Sequence, residues 1–444
     1  VTSRSGEHIL KDLLFVNAAQ VVTCAGPDRA RKGSEMREAG ILKNAAVAVS
    51  AGRIAAIGAA RDIGPAFEDA EIIDCRGGVL TPGLVDSHTH AVFGKARFEE
   101  QELRAEGHDY MEIAARGGGI HSSVRDFRER GEEELYDLAV PRLRALASYG
   151  TTTMEIKSGY GLSVDDELKA LRVIGRLAAS MPMRIVATWL GAHEIPRDSR
   201  SSDSLRAEYL DMLVADLLPK VREQGIARFA DVFCEPGVFT IEESRRILQA
   251  ARKSGLGLKI HADELKHSGG AELAASLGAV SADHLAAISE AGIAAVANST
   301  TVATLLPGTM LFLGKTKQAP ARALIEAGGA VALATDYNPG TSPTVNFPLM
   351  MTLGVSQLRM SVAEVLVATT VNGAAALGLA GETGQIAPGF AADLALFQIG
   401  DVRELPYWYG ARLCVGTWKA GAPCHPYEAG SNLNSRSPET STPG

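Results

Sequence analysis

The chain has 444 residues, of which 46% are hydrophobic and 22% charged, with a formal net charge of −8. This is the balance of a folded enzyme with one large elaborated domain or two domains, and its acidity argues against a nucleic-acid or anionic-membrane partner, which would want a basic face. No run approaches the ~20 consecutive apolar residues of a membrane span, and the opening residues, Val1 to His8, do not read as a signal peptide.

Residues 12–76 carry short β-rich runs separated by Gly- and Asp-containing turns, which predict a small sandwich of antiparallel strands. Within them the polar stretch 25–43 reads as a long hairpin loop. From 77 to 382 the pattern changes. Strand candidates at 83–86, 152–156, 184–190, 230–233, 258–261, 281–284, 302–306 and 331–335 alternate with helical periodicity at 132–148, 165–179, 205–225, 241–253, 269–277, 318–327 and 361–376. Eight strands alternating with helices predict a (β/α)8 TIM-type barrel with its chemistry at the carboxyl ends of the strands. A doubly wound open sheet is the alternative, weakened by the lack of Gly-x-Gly-x-x-Gly after the first strand. Residues 383–424 return to the β style, so 1–76 and 383–424 are expected to form one discontinuous β-sandwich domain around the 77–382 barrel. The segment 425–444, rich in Ser, Pro, Asn and Gly, is expected to be a disordered tail. The cysteines Cys24, Cys75, Cys234, Cys414 and Cys424 are odd in number and lack Cys-x-x-Cys spacing. They read as reduced structural thiols, which makes the cytoplasm the expected location.

His88 and His90 close the first strand of the barrel region. Side chains at i and i+2 of a strand point the same way, so the two imidazoles converge. Imidazole is the commonest metal ligand, and the pair reads as half of a metal site. Further polar residues end later strands: His193, His261, His284 and Asp336. Five of the ten histidines thus fall on one rim, while His8, His108, His121, His267 and His425 fall in tails or connections.

The segment 82–90 resembles the first strand of the amidohydrolase superfamily. Segments 88–97, 117–122, 155–162, 191–196, 231–235, 259–264, 281–285, 305–309 and 334–344 resemble, in order, the imidazolonepropionase family within it. The similarity spans about residues 75–400. It implies hydrolysis of the ring amide of 4-imidazolone-5-propanoate to N-formimidoyl-L-glutamate, the third step of histidine degradation, by attack of a metal-activated water. The resemblance puts metal ligands at His88, His90, His261 and Asp336, a set that suits one Zn²⁺ or Fe ion per chain. It puts Glu264 in the role of orienting substrate and shuttling the water proton, with Asp336 sharing the base role and His284 polarising the carbonyl or stabilising the oxyanion. His193 and Tyr160 match residues that contact the imidazolone, and Arg97 offers a bidentate fork to the propionate carboxylate. Tyr110 and His121 are further candidates near that carboxylate. Asn338, Gly340 and Thr341 are expected to line the pocket, Gly340 letting backbone approach the ligand. Lys157 sits where a binuclear relative would carry a metal-bridging carboxylated lysine, but its motif matches the mononuclear type. A homodimer is common among such relatives.

Each of these residues also has a plainer reading. Strand-end histidines are often hydrogen-bonded structural residues, Arg97 has Glu99, Glu100 and Glu102 within reach as salt-bridge partners, and Cys234 reads as a buried thiol. The competing enzyme class is a guanine- or cytosine-type deaminase, sharing the metal set but needing no carboxylate clamp. A catalytically dead barrel serving as a scaffold is the competing non-enzyme class.

Overall fold

The computed structural model describes residues 11–108, 112–113 and 117–427. Strands β1 (Leu13–Val16), β2 (Gln20–Val22), β3 (Ile41–Lys43), β4 (Ala46–Ser50), β5 (Arg53–Gly58), β6 (Glu71–Asp74) and β7 (Val79–Pro82) come first. The barrel strands follow: β8 (Leu84–Asp86), β9 (Thr151–Lys157), β10 (Arg184–Ala192), β11 (Phe229–Cys234), β12 (Gly257–Ala262), β13 (Ser281–His284), β14 (Val302–Leu305) and β15 (Ala330–Leu333). Strands β16 (Leu394–Phe397), β17 (Cys414–Lys419) and β18 (Ala422–His425) end the described chain.

Strands β8 to β15 form one eight-stranded sheet in strict chain order, and every pairing in it is parallel. All eight expected barrel strands are present. Parallel order of this kind requires a crossover after each strand, which the intervening helices supply. Their start signals are local: the Ser163 hydroxyl accepts from the Asp166 amide ahead of Val164–Ser180, and Thr240 with Glu243 makes a capping box ahead of Ile241–Lys253.

Two expected helices are broken, each for a stated reason. The 205–225 stretch is Asp203–Asp211, a π-helical turn Met212–Leu217, and Leu218–Gln224. Pro219 has no N–H to give, and the helix widens in the turn before it. The 361–376 stretch divides into Val362–Ala368 and Val371–Ala375. Between them the Thr369 and Thr370 hydroxyls donate back to the Val365 and Leu366 carbonyls, competing with the backbone ladder.

The remaining strands make two stacked sheets, β5-β4-β1-β6 and β18-β17-β16-β7-β2-β3. The expectation of purely antiparallel strands is corrected here, because β1 pairs parallel with β6 and β2 parallel with β7. The cause is connectivity: β1 runs straight on into β2 of the other sheet, and β6 into β7. Their shared core includes Phe15, Val47, Leu80 and Leu394, with Phe15 edge-on to Trp418 at 4.9 Å. The 25–43 stretch holds a short 3₁₀ turn, Gly33–Arg37, and then β3. The chain passes from the β7 sheet into the barrel at Gly83, whose Cβ would fall 2.0 Å from Thr152 Oγ1. Beyond 425, the Tyr427 hydroxyl donates to the Asp74 carbonyl at 2.8 Å; residues 428–444 lie outside the described residues. All five cysteines are free, four of them buried, and burial pushes the Cys75 and Cys414 thiols up to about 12. No helix among the described residues is long and apolar enough to cross a membrane.

Candidate active site

The barrel closes where the site begins. β15 and β8 are joined past their carboxyl ends by the Asp336 amide donating to the His88 carbonyl (3.0 Å) and the His90 amide donating to the Tyr337 carbonyl (2.9 Å). The hydrogen bonds that close the sheet therefore bring His88, His90 and Asp336 together. His88 Nε2 and His90 Nε2 each stand 3.5 Å from Asp336 Oδ1. His261, at the end of β12, brings its ring centroid to 4.5 Å from that of His88, and the His284 ring lies 5.2 Å from that of His261. His284 has φ +79° and Asp336 φ +52°. These are left-handed conformations that cost non-glycine residues energy and turn both side chains inward at the strand ends.

Donor atoms within 4.8 Å of one another fall into overlapping groups: His88, His90 and Asp336; His88, His261 and His284; His90, His193 and His261. Among the described residues, His88 Nε2, His90 Nδ1, His284 Nδ1 and both ring nitrogens of His261 are buried with no hydrogen-bond partner. Buried polar atoms are rarely left so, and an ion held here would satisfy His88 Nε2 and His261 Nε2. Donors ~2 Å from a four-coordinate ion stand ~3.3 Å apart, close to the 3.5 Å seen at Asp336. Burial first, and then the positive charge of neighbouring groups, pushes His88, His90 and His284 well below the ordinary histidine range. They are held neutral, as metal ligation requires. The residues fit a metal ion.

Beneath the rim lies a layer of buried charge. The Nδ1 of His88 is 2.7 Å from Asp283 Oδ2, and that of His261 is 3.0 Å from Asp231 Oδ2. Lys157 Nζ donates to Asp231 Oδ2 at 2.6 Å and lies 2.8 Å from Glu155 Oε2. Burial works against its ammonium, but Asp231, Glu155 and Asp283 overcome it and hold the lysine well above its usual range. Sequence reasoning singled out none of Asp231, Asp283, Glu155 or Lys259. The signal was the period-two alternation of β9 and β12, which puts Glu155 with Lys157, and Lys259 with His261, on the barrel interior.

Above the rim is a cavity of about 940 Å³. Arg97, Tyr160, His193, Glu264, Asn338 and Thr341 line it together with His90, His261, His284 and Asp336. Glu264 Oε2 is 3.6 Å from His284 Nε2. Burial, then the charges of Asp336 and Glu235, raise Glu264 well above the usual carboxylate range, and burial lifts Asp336 to about 6 against a hydrogen bond from Thr309. The His193 ring stacks on His90 at 4.9 Å with its Nδ1 3.0 Å from the Gly159 carbonyl, and burial lowers it to about 3. Arg97 is 8% exposed, with Nε 3.6 Å from Glu100 Oε1. Asn338 turns back on its own loop, Oδ1 accepting from the Gly340 and Thr341 amides at 2.8 and 2.7 Å. Gly340 is outside the lining, and what approaches its bare Cα is Arg97: a Cβ there would lie 1.1 Å from Arg97 Nη2. His121 lines the outer cavity. Tyr110 lies outside the described residues.

Closed parallel barrel, carboxyl-rim histidines and strand-end aspartate define the class of metal-dependent barrel hydrolases. The amidohydrolase family model matches residues 79–423, and the chain belongs to that family. Relatives of high identity include imidazolonepropionases. It is 45% identical over 401 residues to the imidazolonepropionase of Bacillus velezensis, covering 90% of this chain and 93% of the relative. To that of Symbiobacterium thermophilum it is 45% identical over 414 residues, covering 92% and 96%. The fold also superposes on an adenosine deaminase from Xanthomonas campestris, solved with bound zinc (TM-score 0.70, 21% identity, 94% of this chain and 93% of that one). It likewise superposes on A. niger ochratoxinase (TM-score 0.68, 16% identity, 96% and 99%).

Proposed function

We propose that this chain hydrolyses the ring amide of 4-imidazolone-5-propanoate to N-formimidoyl-L-glutamate, a step of histidine degradation. The observation that carries the reading is the meeting, in one cavity, of His90, His261 and Asp336, backed by the buried His88, with the guanidinium of Arg97. His88, His90, His261 and Asp336 would hold a metal ion, which when bound would supply Lewis acidity and lower the pKa of a water.

Arg97 takes the propionate carboxylate, where a planar fork does better than a point charge. Tyr160 and His193 pack against the imidazolone ring. Glu264, with its raised pKa, takes the proton of the attacking water and returns it to the ring nitrogen as the carbonyl C–N bond breaks. His284, neutral and beside Glu264, donates to the carbonyl oxygen as charge builds on it. The reading takes one ion per chain. In its support, the Lys157 amine is engaged by three carboxylates and is not free to become a metal-bridging carbamate. Zn²⁺ and Fe both suit the donor set, and the free, buried thiols support a cytoplasmic setting.

The test is one assay. Metal-loaded protein incubated with 4-imidazolone-5-propanoate should bleach its absorbance while N-formimidoyl-L-glutamate appears in equal amount. No turnover of this substrate, with turnover of an aminated heterocycle instead, would replace the reading with a deaminase.

A further inference from the structure

We propose that Lys157 is a positioning residue of the metal centre: its ammonium holds Asp231 and Asp283 as fixed acceptors behind His261 and His88, so that both rings turn Nε2 toward the ion. The inference rests on the metal-site reading above.

The geometry is a shared-oxygen relay. Asp231 Oδ2 is 2.6 Å from Lys157 Nζ and 3.0 Å from His261 Nδ1, the second a close charge contact whose N–H lies off the hydrogen-bond line, whereas His88 Nδ1 and Asp283 Oδ2 meet in an aligned hydrogen bond. Asp283 Oδ2 is 3.6 Å from the same Nζ and 2.7 Å from His88 Nδ1. The other oxygen of Asp231 accepts from the His261 backbone amide at 3.1 Å, which fixes the carboxylate plane. Lys157, Asp231 and Asp283 have no exposed side-chain surface.

A carboxylate behind a ligating imidazole selects the tautomer, because an anionic oxygen accepts from Nδ1–H and leaves Nε2 with a free lone pair. That requires the carboxylates to stay ionised and aimed in a dry interior, where an unpaired charge is expensive. Lys157 meets both needs at once. It brings a compensating charge and three N–H donors, and as an ammonium it offers no lone pair to compete for the ion. Glu155, Asp283 and His88 also present donor atoms within 4.8 Å of one another, and Lys157 Nζ is hydrogen-bonding distance from Glu155 there. Without the lysine, the shared oxygens of Asp231 and Asp283 lose the cation they both face, and the imidazoles in front of them lose the partner that aims them.

The plainer account is that Lys157 only neutralises Glu155, and a charge-balanced pair of variants separates the two. Zn²⁺ affinity of the metal-stripped protein is measured by competition with a chromophoric chelator for the parent, for Glu155→Gln, and for Lys157→Met combined with Glu155→Gln. Removing a partner behind a metal ligand costs roughly 10–100-fold in affinity. The double variant should bind Zn²⁺ at least about tenfold more weakly than Glu155→Gln, with a metal-free melting temperature close to that of Glu155→Gln. Equal affinities of the double variant and Glu155→Gln overturn the proposal. A parent that binds no Zn²⁺ overturns the metal-site reading itself. Independently, nitrogen NMR of the histidines in the unaltered zinc-loaded protein should show His88 and His261 carrying hydrogen on Nδ1. Hydrogen on Nε2 of either ring overturns the relay without any substitution.

Discussion

The proposed function divides the chemistry of the cavity between Arg97, for binding, and Glu264, for proton transfer, and single substitutions test the two roles. Truncating Arg97→Ala removes a charge-assisted, two-pronged contact worth about 1.5–3 kcal/mol. KM for 4-imidazolone-5-propanoate should rise roughly ten- to a hundredfold with kcat within a few-fold of the parent, and steady-state kinetics showing an unmoved KM would strip Arg97 of the role. Glu264→Gln keeps the shape but cannot carry the proton. It should retain its metal while kcat falls at least about a hundredfold, the usual worth of a general acid–base. His261→Ala should lose metal and activity together, read by metal analysis and assay on the same sample. Roles for Arg97 and Glu264 came only with the family resemblance, whereas the clustering of His88, His90, His193, His261, His284 and Asp336 at strand ends was legible from the sequence pattern. The carboxylates behind them were not: Asp283 is next to His284 in the chain and would ordinarily face the opposite side of the strand. Only the left-handed turn at His284 (φ +79°) puts both inside, and no periodicity announces such a turn.

Strands were easier to read than the loops that follow them. Each barrel strand is a short apolar run with a polar end, so all eight were visible, whereas the helix breaks at Pro219 and at Thr369–Thr370 depend on local hydrogen-bond competition that 3.6-residue periodicity averages away. The loop after β15 shows the difference most clearly. Asn338 was expected to face substrate and Gly340 to admit it, yet Asn338 spends its side chain on the Gly340 and Thr341 amides, and the space at Gly340 is taken by Arg97. The loop is thus a seat for the guanidinium. Gly340→Ala would set a methyl 1.1 Å from Arg97 Nη2 and 2.0 Å from its Cζ, and a long side chain yields more readily than backbone. The variant should keep its metal content and melting temperature while its KM climbs toward that of Arg97→Ala. A variant with parental KM would show that the seat does not determine where the carboxylate binds.

At the scale of the whole molecule, charge is distributed against the average. The chain carries a net −8, a value that by itself would repel an anionic substrate. The cavity is lined instead by six cationic side chains, Arg97, Arg104, Arg200, Lys266, Lys315 and Lys317, against four acidic ones, Glu194, Glu235, Glu264 and Asp336. Composition could not reveal this, because the six come from the segments that follow four different barrel strands, β8, β10, β12 and β14, which only barrel closure gathers at one mouth. Low-dielectric walls focus such a field and raise the encounter rate of an oppositely charged ligand. Salt screens it over a Debye length of about 10 Å at 0.1 M ionic strength, on the order of the mouth itself. Raising NaCl from about 20 mM to about 500 mM should therefore lower kcat/KM for 4-imidazolone-5-propanoate several-fold while leaving kcat nearly level, since the chemistry takes place among buried groups that salt does not reach. Lys315→Glu with Lys317→Glu, both on the cavity lining and outside the proposed metal-ligand set, should lower kcat/KM at low salt and flatten the dependence. A parent enzyme whose kcat/KM is independent of salt would mean that the cationic mouth plays no part in capturing substrate, and that Arg97 alone accounts for recognition of the carboxylate.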